Sequence, residues 1–119
     1  MKRKYNGRYY GKAQNLRHSL INAYDNELSR FDVLVMPTLP MRATELPEPN
    51  SSREKIVEVA LNMLANTCVF DVTGHPAITV PCGEADGLPI GMMIIGKLYD
   101  DAKVLRVAAA CEEQNFYNV

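Results

Sequence analysis

The chain has 119 residues and a mass of 13.3 kDa, with 47% apolar residues, 23% charged residues and a net charge of -1. This length allows a single domain or part of one, and the composition excludes a disordered or fibrous chain. One basic cluster, at residues 2–8, is interpreted as the solvated entrance to a helix, so we expect no nucleic-acid partner.

Cysteine usage and the N-terminal residues bear on the compartment. An odd number of widely spaced cysteines is typical of free thiols in a reducing environment, which favours the cytoplasm; they are Cys68, Cys82 and Cys111. Residues 1–10, expected to be a flexible N-terminus, carry positive charge without a following apolar run. We therefore expect no secretory signal and, since no apolar stretch is long enough, no membrane association.

The first half of the chain predicts a helix and then a strand. From Gly11 to Phe31 apolar residues recur every three or four positions, which is typical of one face of a helix. His18 falls off that face, so we interpret it as exposed rather than catalytic. The compact apolar run of residues 32–37, ending at Pro37, predicts a buried strand.

A proline-rich loop over residues 37–50 leads to a second helix, at about residues 52–69. Ser51 and Glu54 have the spacing of a capping box. This helix has too many apolar residues for one face, so we expect it to be buried on most sides. Covering it requires more protein than the chain supplies, which predicts a large exposed apolar patch.

Two short apolar runs after this helix predict a β-hairpin. Gly74 and Pro76 end the helical region, residues 77–82 and 88–96 are the strands, and residues 83–87, with Gly83 and Gly87, form the turn. Gly91 inside the second strand indicates a bulge or a close approach of neighbouring backbone. A last helix, capped by Asp100 or Asp101, extends to about Gln114.

The residues needed for familiar catalytic and metal sites are scarce. The sequence has two histidines, His18 and His75, and neither lies in a local pattern with a nucleophile or a metal ligand. Glycine-rich phosphate-binding motifs are also absent from the sequence. We expect no metal site and no cofactor.

Three stretches in order resemble the C-terminal portion of the amidase signature family, the serine-dependent amide hydrolases. They are PTLPMRA after DVLVM, the run NTCVFDVTGHPAITVPCGEADGLPIGMMIIG, and DDAKVLRVAAACEE. The resemblance is in order over nearly all of residues 5–114. The resemblance implies an α/β fold, part of a mixed β-sheet flanked by helices, and amide C–N hydrolysis through an acyl-serine. Family enzymes are several times longer than this chain.

The family's catalytic pattern is not found in this sequence. The resemblance implies a serine nucleophile, a second serine on a cis peptide bond and a lysine base, with the serines in a glycine- and serine-rich stretch upstream of the residues that match. None of the lysines should therefore be the catalytic base, including Lys12, Lys55, Lys97 and Lys103. We therefore expect this chain to contain no catalytic residue.

The resemblance also implies a role for the second helix, which in similar enzymes helps to wall the acyl pocket. Leu61, Leu64 and Cys68 are then candidates for contact with substrate, with plain core packing as the alternative. Asp71, Thr73 and His75 are candidates to orient groups of the pocket through hydrogen bonds, and for Thr73 and His75 the alternative is that they satisfy the backbone of the following turn. Gly74, His75, Pro76, Gly83, Gly87 and Gly91 are interpreted as structural residues of the motif.

Two hypotheses of function follow. In the first, the chain is the C-terminal portion of an amidase and supplies sheet scaffold and pocket wall, while the catalytic residues lie outside it. In the second, it is a stand-alone, non-catalytic binding module built on the same scaffold. Under both, the exposed apolar patch predicts a homo-oligomer or a partner chain, and a small amide substrate is expected only in the completed enzyme.

Overall fold

The computed structural model of the chain describes residues 7–114. Within that range the elements, in chain order, are α1 Arg8–Leu28, β1 Leu34–Pro37, α2 Arg53–Asn62, α3 Cys68–Thr73, β2 Ala77–Ala85, β3 Leu88–Ile95 and α4 Asp101–Glu113. The predicted α/β class is confirmed. The predicted order also agrees, except that two helices replace the single helix expected at residues 52–69.

The three strands form an antiparallel sheet in the order β1-β3-β2. Successive side chains of a strand point to opposite faces, and the central strand β3 accordingly serves two cores. Met93 and Ile95 pack against Phe70 of α3 on one face, while Ile94 packs with Val80 and Ala108 of α4 on the other. The helices thus cover both sides of β3.

The hairpin turn is shorter than the sequence predicted. β2 continues through Gly83 to Ala85, and the loop is only Asp86 and Gly87, with φ angles of 53° and 74°. Two positive φ angles define the turn type whose twist matches that of paired strands. Gly83 therefore does not close the turn; it follows Cys82 at a bulge between Pro81 and Gly83, where its φ of 138° suits glycine.

The prediction of one long helix over residues 52–69 is wrong, because the chain turns at residues 63–67 before α3 begins. Two side chains in this turn bind backbone carbonyls. Asn66 donates its amide to Pro37 O at 2.9 Å, and Thr67 donates its hydroxyl to Leu64 O at 3.4 Å. Such bonds compete with a continuous helix, and that of Asn66 ties the turn to the end of β1.

The start of α2 also differs in detail from the prediction. Its N-cap is Ser52, whose hydroxyl accepts a hydrogen bond from the Lys55 backbone N–H at 3.2 Å, so the predicted cap at Ser51 is displaced by one residue. None of the α2 residues is buried within the chain, contrary to the expectation that this helix is covered on most sides.

α1 begins three residues before the predicted start and ends three residues before the predicted end. Its apolar face is covered only toward its C-terminus, since Leu28 is fully buried while Leu16 is 58% exposed. His18 is exposed, as predicted. Of the expected flexible N-terminus, residues 1–6 lie outside the described residues, and residues 8–10 form the first turn of α1.

An ion pair near the surface joins α4 to Asp32, two residues before β1. The Lys103 Nζ donates to Asp32 Oδ1 at 3.1 Å and lies 3.5 Å from Asp100 Oδ2. The hydrogen bond to Asp32, with the charge of Asp100 beside it, raises the pKa of Lys103 above its ordinary value.

Candidate functional site

The candidate wall residues lie on the stretch that joins α2 to α3. Leu61 is in the last turn of α2, Leu64 is in the intervening turn, and Cys68 is the first residue of α3. All three are exposed, with Leu61 at 59% and Leu64 at 47%. Core packing within this chain therefore does not account for their apolar character, and the surface they form is free to contact something else.

A cavity of about 250 Å³ lies between α3 and the sheet, and none of the three candidate wall residues lines it. Thr67, Phe70, Asp71 and His75 line one side, and the strand residues Ala77, Thr79 and Met93 line the other. Of the three polar residues singled out in the sequence, Asp71 and His75 thus share this cavity. The third, Thr73, is buried at the end of α3.

His75 is held by a residue that the sequence analysis missed. Its side chain is fully buried, and Nε2 lies 3.2 Å from Oδ1 of Asp25 on α1. Because a carboxylate accepts hydrogen bonds, Nε2 is the donor in this contact. Within residues 7–114, His75 Nδ1 and Thr73 Oγ1 are the two buried side-chain atoms without a hydrogen-bond partner.

Aromatic contacts complete this packing. The Tyr24 ring lies 5.2 Å from the Phe70 ring and 5.8 Å from the His75 ring, between centroids. Arg17, two turns earlier on α1, donates Nε to Val72 O at 2.6 Å. These contacts fix α1 against α3 and so set the position of the candidate wall. The sequence offers no signal for the Asp25–His75 pair, because fifty residues separate its members.

The turn between α3 and β2 uses the conspicuous residues of the TGHP motif. Gly74 ends α3 with φ 82°, a conformation that favours glycine, and its N–H donates to Phe70 O at 2.8 Å. Pro76 O accepts the N–H of Gly96 at 2.9 Å, which joins the start of β2 to the end of β3. Gly74 thus ends α3, and Pro76 joins the two strands of the hairpin at their open end.

The atoms that approach the Gly91 Cα closely belong to side chains rather than to neighbouring backbone. A Cβ at this position would lie 2.9 Å from both Thr38 Oγ1 and Thr79 Cγ2, whose threonines share a hydrogen bond of 3.0 Å between their hydroxyls. The Thr38 N–H also donates to Gly91 O at 2.9 Å, which holds the start of the proline-rich loop on β3. The bulge lies on the partner strand, opposite Gly91.

In residues 7–114 no group of three or more potential metal ligands comes together. The three cysteines are free thiols. Among the helices of the same range, none has the length and apolar character that a membrane crossing requires.

Comparison with known proteins decides the family. The sequence model of the Amidase family matches residues 1–105. This chain belongs to the amidase signature family. The motif-based prediction is thereby confirmed.

Relatives in the family are longer than this chain. It is 54% identical over 107 residues to an uncharacterized protein in the nthA 5′ region of Rhodococcus erythropolis, covering 90% of this chain and 54% of that protein. It is 52% identical over 104 residues to an enantioselective amidase of Rhodococcus rhodochrous, covering 87% of this chain and 20% of the amidase. The chain thus spans between one fifth and about half of these relatives.

The fold agrees with the family. The crystal structure of a glutamyl-tRNA(Gln) amidotransferase subunit from Thermotoga maritima superposes with a TM-score of 0.74 at 30% identity. The match covers 97% of this chain and 24% of that structure. The helices and sheet described above therefore correspond to about a quarter of a larger fold of the family.

Proposed function

We propose that this chain is the C-terminal portion of an amide-hydrolysing enzyme, acting on a non-peptide C–N bond through an acyl-serine. It supplies sheet scaffold and pocket wall, and the catalytic serines and lysine lie outside it. The observation that carries the proposal is the match of nearly the whole chain to only 20–24% of amidase-family proteins. Without a catalytic serine and an activating base of its own, the chain alone is inactive.

The serines of the chain support this interpretation. Two of them serve helix ends: Ser29 donates its hydroxyl to Asn26 O at 2.7 Å, and Ser52 caps α2. In residues 7–114 no hydrogen bond joins a serine hydroxyl to a lysine amine. An activated serine requires a base within hydrogen-bond reach, so the arrangement favours a catalytic centre elsewhere.

The same proposal gives Leu61, Leu64 and Cys68 contact with the acyl part of the substrate. This assignment is supported by the exposure of all three residues on one short stretch of chain. The stretch follows α2, a helix with no buried residue in this chain. We place the protein in the cytoplasm, which three free thiols support.

The purified 119-residue chain tests the proposal directly. It is incubated with an aryl acylamide and with a primary amide, with and without a serine-reactive sulfonyl fluoride. We expect no hydrolysis above buffer. Inhibitor-sensitive hydrolysis that co-elutes with the 13.3 kDa chain and is lost in a Ser51→Ala/Ser52→Ala variant would show that the chain has its own nucleophile.

A second candidate is the stand-alone, non-catalytic module. It is favoured by the R. erythropolis relative, which is about 200 residues long because 107 aligned residues make up 54% of it. By the same arithmetic the R. rhodochrous amidase has about 520 residues. Amide binding by the 119-residue chain without hydrolysis, measured by calorimetry, would support the module over the enzyme portion.

A further inference from the structure

Exposed apolar side chains collect where the proline-rich loop meets the end of the hairpin. A groove of about 480 Å³ runs between residues 39–43 and residues 85–91. A second concavity of about 280 Å³ lies over β1 and β3 and shares Ile90 and Gly91 with the first. We call the joined area the hairpin-end surface; its most exposed apolar members are Val35, Leu39, Met41, Leu88 and Ile90.

The chemistry of this surface is that of a protein interface. Charged residues are depleted at the centre of an interface and enriched at its rim. Of the residues lining the two concavities, one is charged: Arg42, which forms an ion pair with Asp86 at the tip of the hairpin. The rest of the groove lining consists of leucine, methionine and isoleucine side chains with proline, alanine and glycine, so the surface is apolar and its prolines restrict the backbone.

The exposed area indicates how large the partner is. The chain exposes 9215 Å², whereas a compact monomer of 13.3 kDa exposes roughly 6,500 Å². The difference, about 2,700 Å², is several times the ~800 Å² that each partner buries in a standard interface. The chain is also a flat layer, with extents of 53 × 44 × 17 Å. A short peptide could not cover an excess of this size.

We propose that the hairpin-end surface binds the catalytic portion of an amidase-signature fold, carried on another stretch of polypeptide. This rests on the proposed function and adds the place of contact. The family match leaves about three quarters of the fold to the partner, which agrees with the excess area. A second copy of this chain is the competing occupant and would supply no catalytic portion.

The test uses the full chain co-expressed with the R. rhodochrous amidase from which the matching 104 residues are deleted. Three tagged versions of the chain are compared: wild type, Ile90→Lys, and the control Leu105→Lys. Leu105 is an exposed apolar residue of α4 outside the hairpin-end surface, at 59% exposure against 40% for Ile90. Circular dichroism melts of each chain show whether the variants fold.

We expect the wild type and Leu105→Lys to retain the deleted amidase in a one-to-one complex, and Ile90→Lys to retain about tenfold less, because a lysine buried without a partner opposes association. Met41→Lys should behave like Ile90→Lys. If the deleted amidase is insoluble, the same substitutions are made in a chimera in which this chain replaces the matching residues, and soluble yield is measured.

Equal retention by Ile90→Lys and Leu105→Lys would overturn the proposed surface and leave the proposed function standing. A wild-type chain that retains no deleted amidase, but forms a dimer that Ile90→Lys dissociates, would assign the surface to a second copy and overturn the proposal as well. Hydrolysis by the chain alone would instead refute the proposed function, whatever the binding results.

Discussion

Gly91→Ala is the substitution whose effect the structure defines most closely. The new methyl group would lie 2.9 Å from Thr38 Oγ1, 2.9 Å from Thr79 Cγ2 and 3.3 Å from Thr38 Cβ. Non-bonded carbon atoms prefer separations of about 3.5–4.0 Å. Both threonines are β-branched and hydrogen-bonded to each other across the glycine, so neither side chain can rotate away without losing that contact.

Overpacking of this kind costs about 1–3 kcal/mol. Replacing glycine by alanine also restricts the unfolded chain, which stabilises the folded state by about 0.4–1 kcal/mol. The net loss in the free energy of unfolding should therefore be roughly 1–2 kcal/mol. For a chain of 119 residues, this corresponds to a melting temperature lower by roughly 4–8 °C.

The assay is thermal unfolding followed by circular dichroism, with Gly11→Ala as the matched control. Gly11 lies in α1 and a Cβ there would meet nothing within 4 Å, so this variant should be more stable than the wild type by up to about 1 kcal/mol. Adding Thr79→Ser to Gly91→Ala removes one of the two close contacts and should recover part of the loss. A Gly91→Ala chain as stable as the wild type would refute this account.

Substitutions at three further positions, Ser51, Ser52 and Asp25, test local contacts. Ser52→Ala removes the cap of α2 and should lower the free energy of unfolding by about 1 kcal/mol, whereas Ser51→Ala should be nearly neutral. Urea unfolding of both variants measures the difference. A larger loss in Ser51→Ala than in Ser52→Ala would support the capping box predicted from the sequence. Asp25→Ala leaves the buried N–H of His75 without its acceptor and should cost about 1–3 kcal/mol, while Asp25→Asn keeps an acceptor oxygen and should cost less. Equal melting temperatures for the two Asp25 variants would exclude this hydrogen bond as the cause.

The sequence predicted the elements whose signals are local. The period of apolar residues located α1 and α4, and glycine with short apolar runs located the hairpin, all within a few residues of the structure. The smaller errors are shifts of one to a few residues in where an element begins or ends. Ser51 and Ser52 are adjacent potential caps, and only the path of the incoming chain decides which one faces the free N–H groups.

Contacts between distant parts of the chain were beyond sequence reasoning. The end of α2 is accompanied by a hydrogen bond from Asn66 to Pro37 O, twenty-nine residues away. The spacing of apolar residues cannot predict such a bond. The same holds for Asp25, whose partner is set by how α1 packs on α3. At Gly91 the sequence did indicate a close approach, but not that two threonine side chains make it.

The apolar character of α2 is where sequence and structure differ most, and the two can be reconciled. Most apolar residues of this helix are exposed in the chain alone: Ile56, Val57 and Leu61 are 47%, 45% and 59% exposed. The chain nevertheless superposes on about a quarter of a much larger family member, in which more protein is available to cover such a helix. We therefore interpret the pattern of α2 as matched to surroundings beyond this chain. Its exposed side chains then contribute little to folding of the chain alone and become stabilising only when a partner removes them from water.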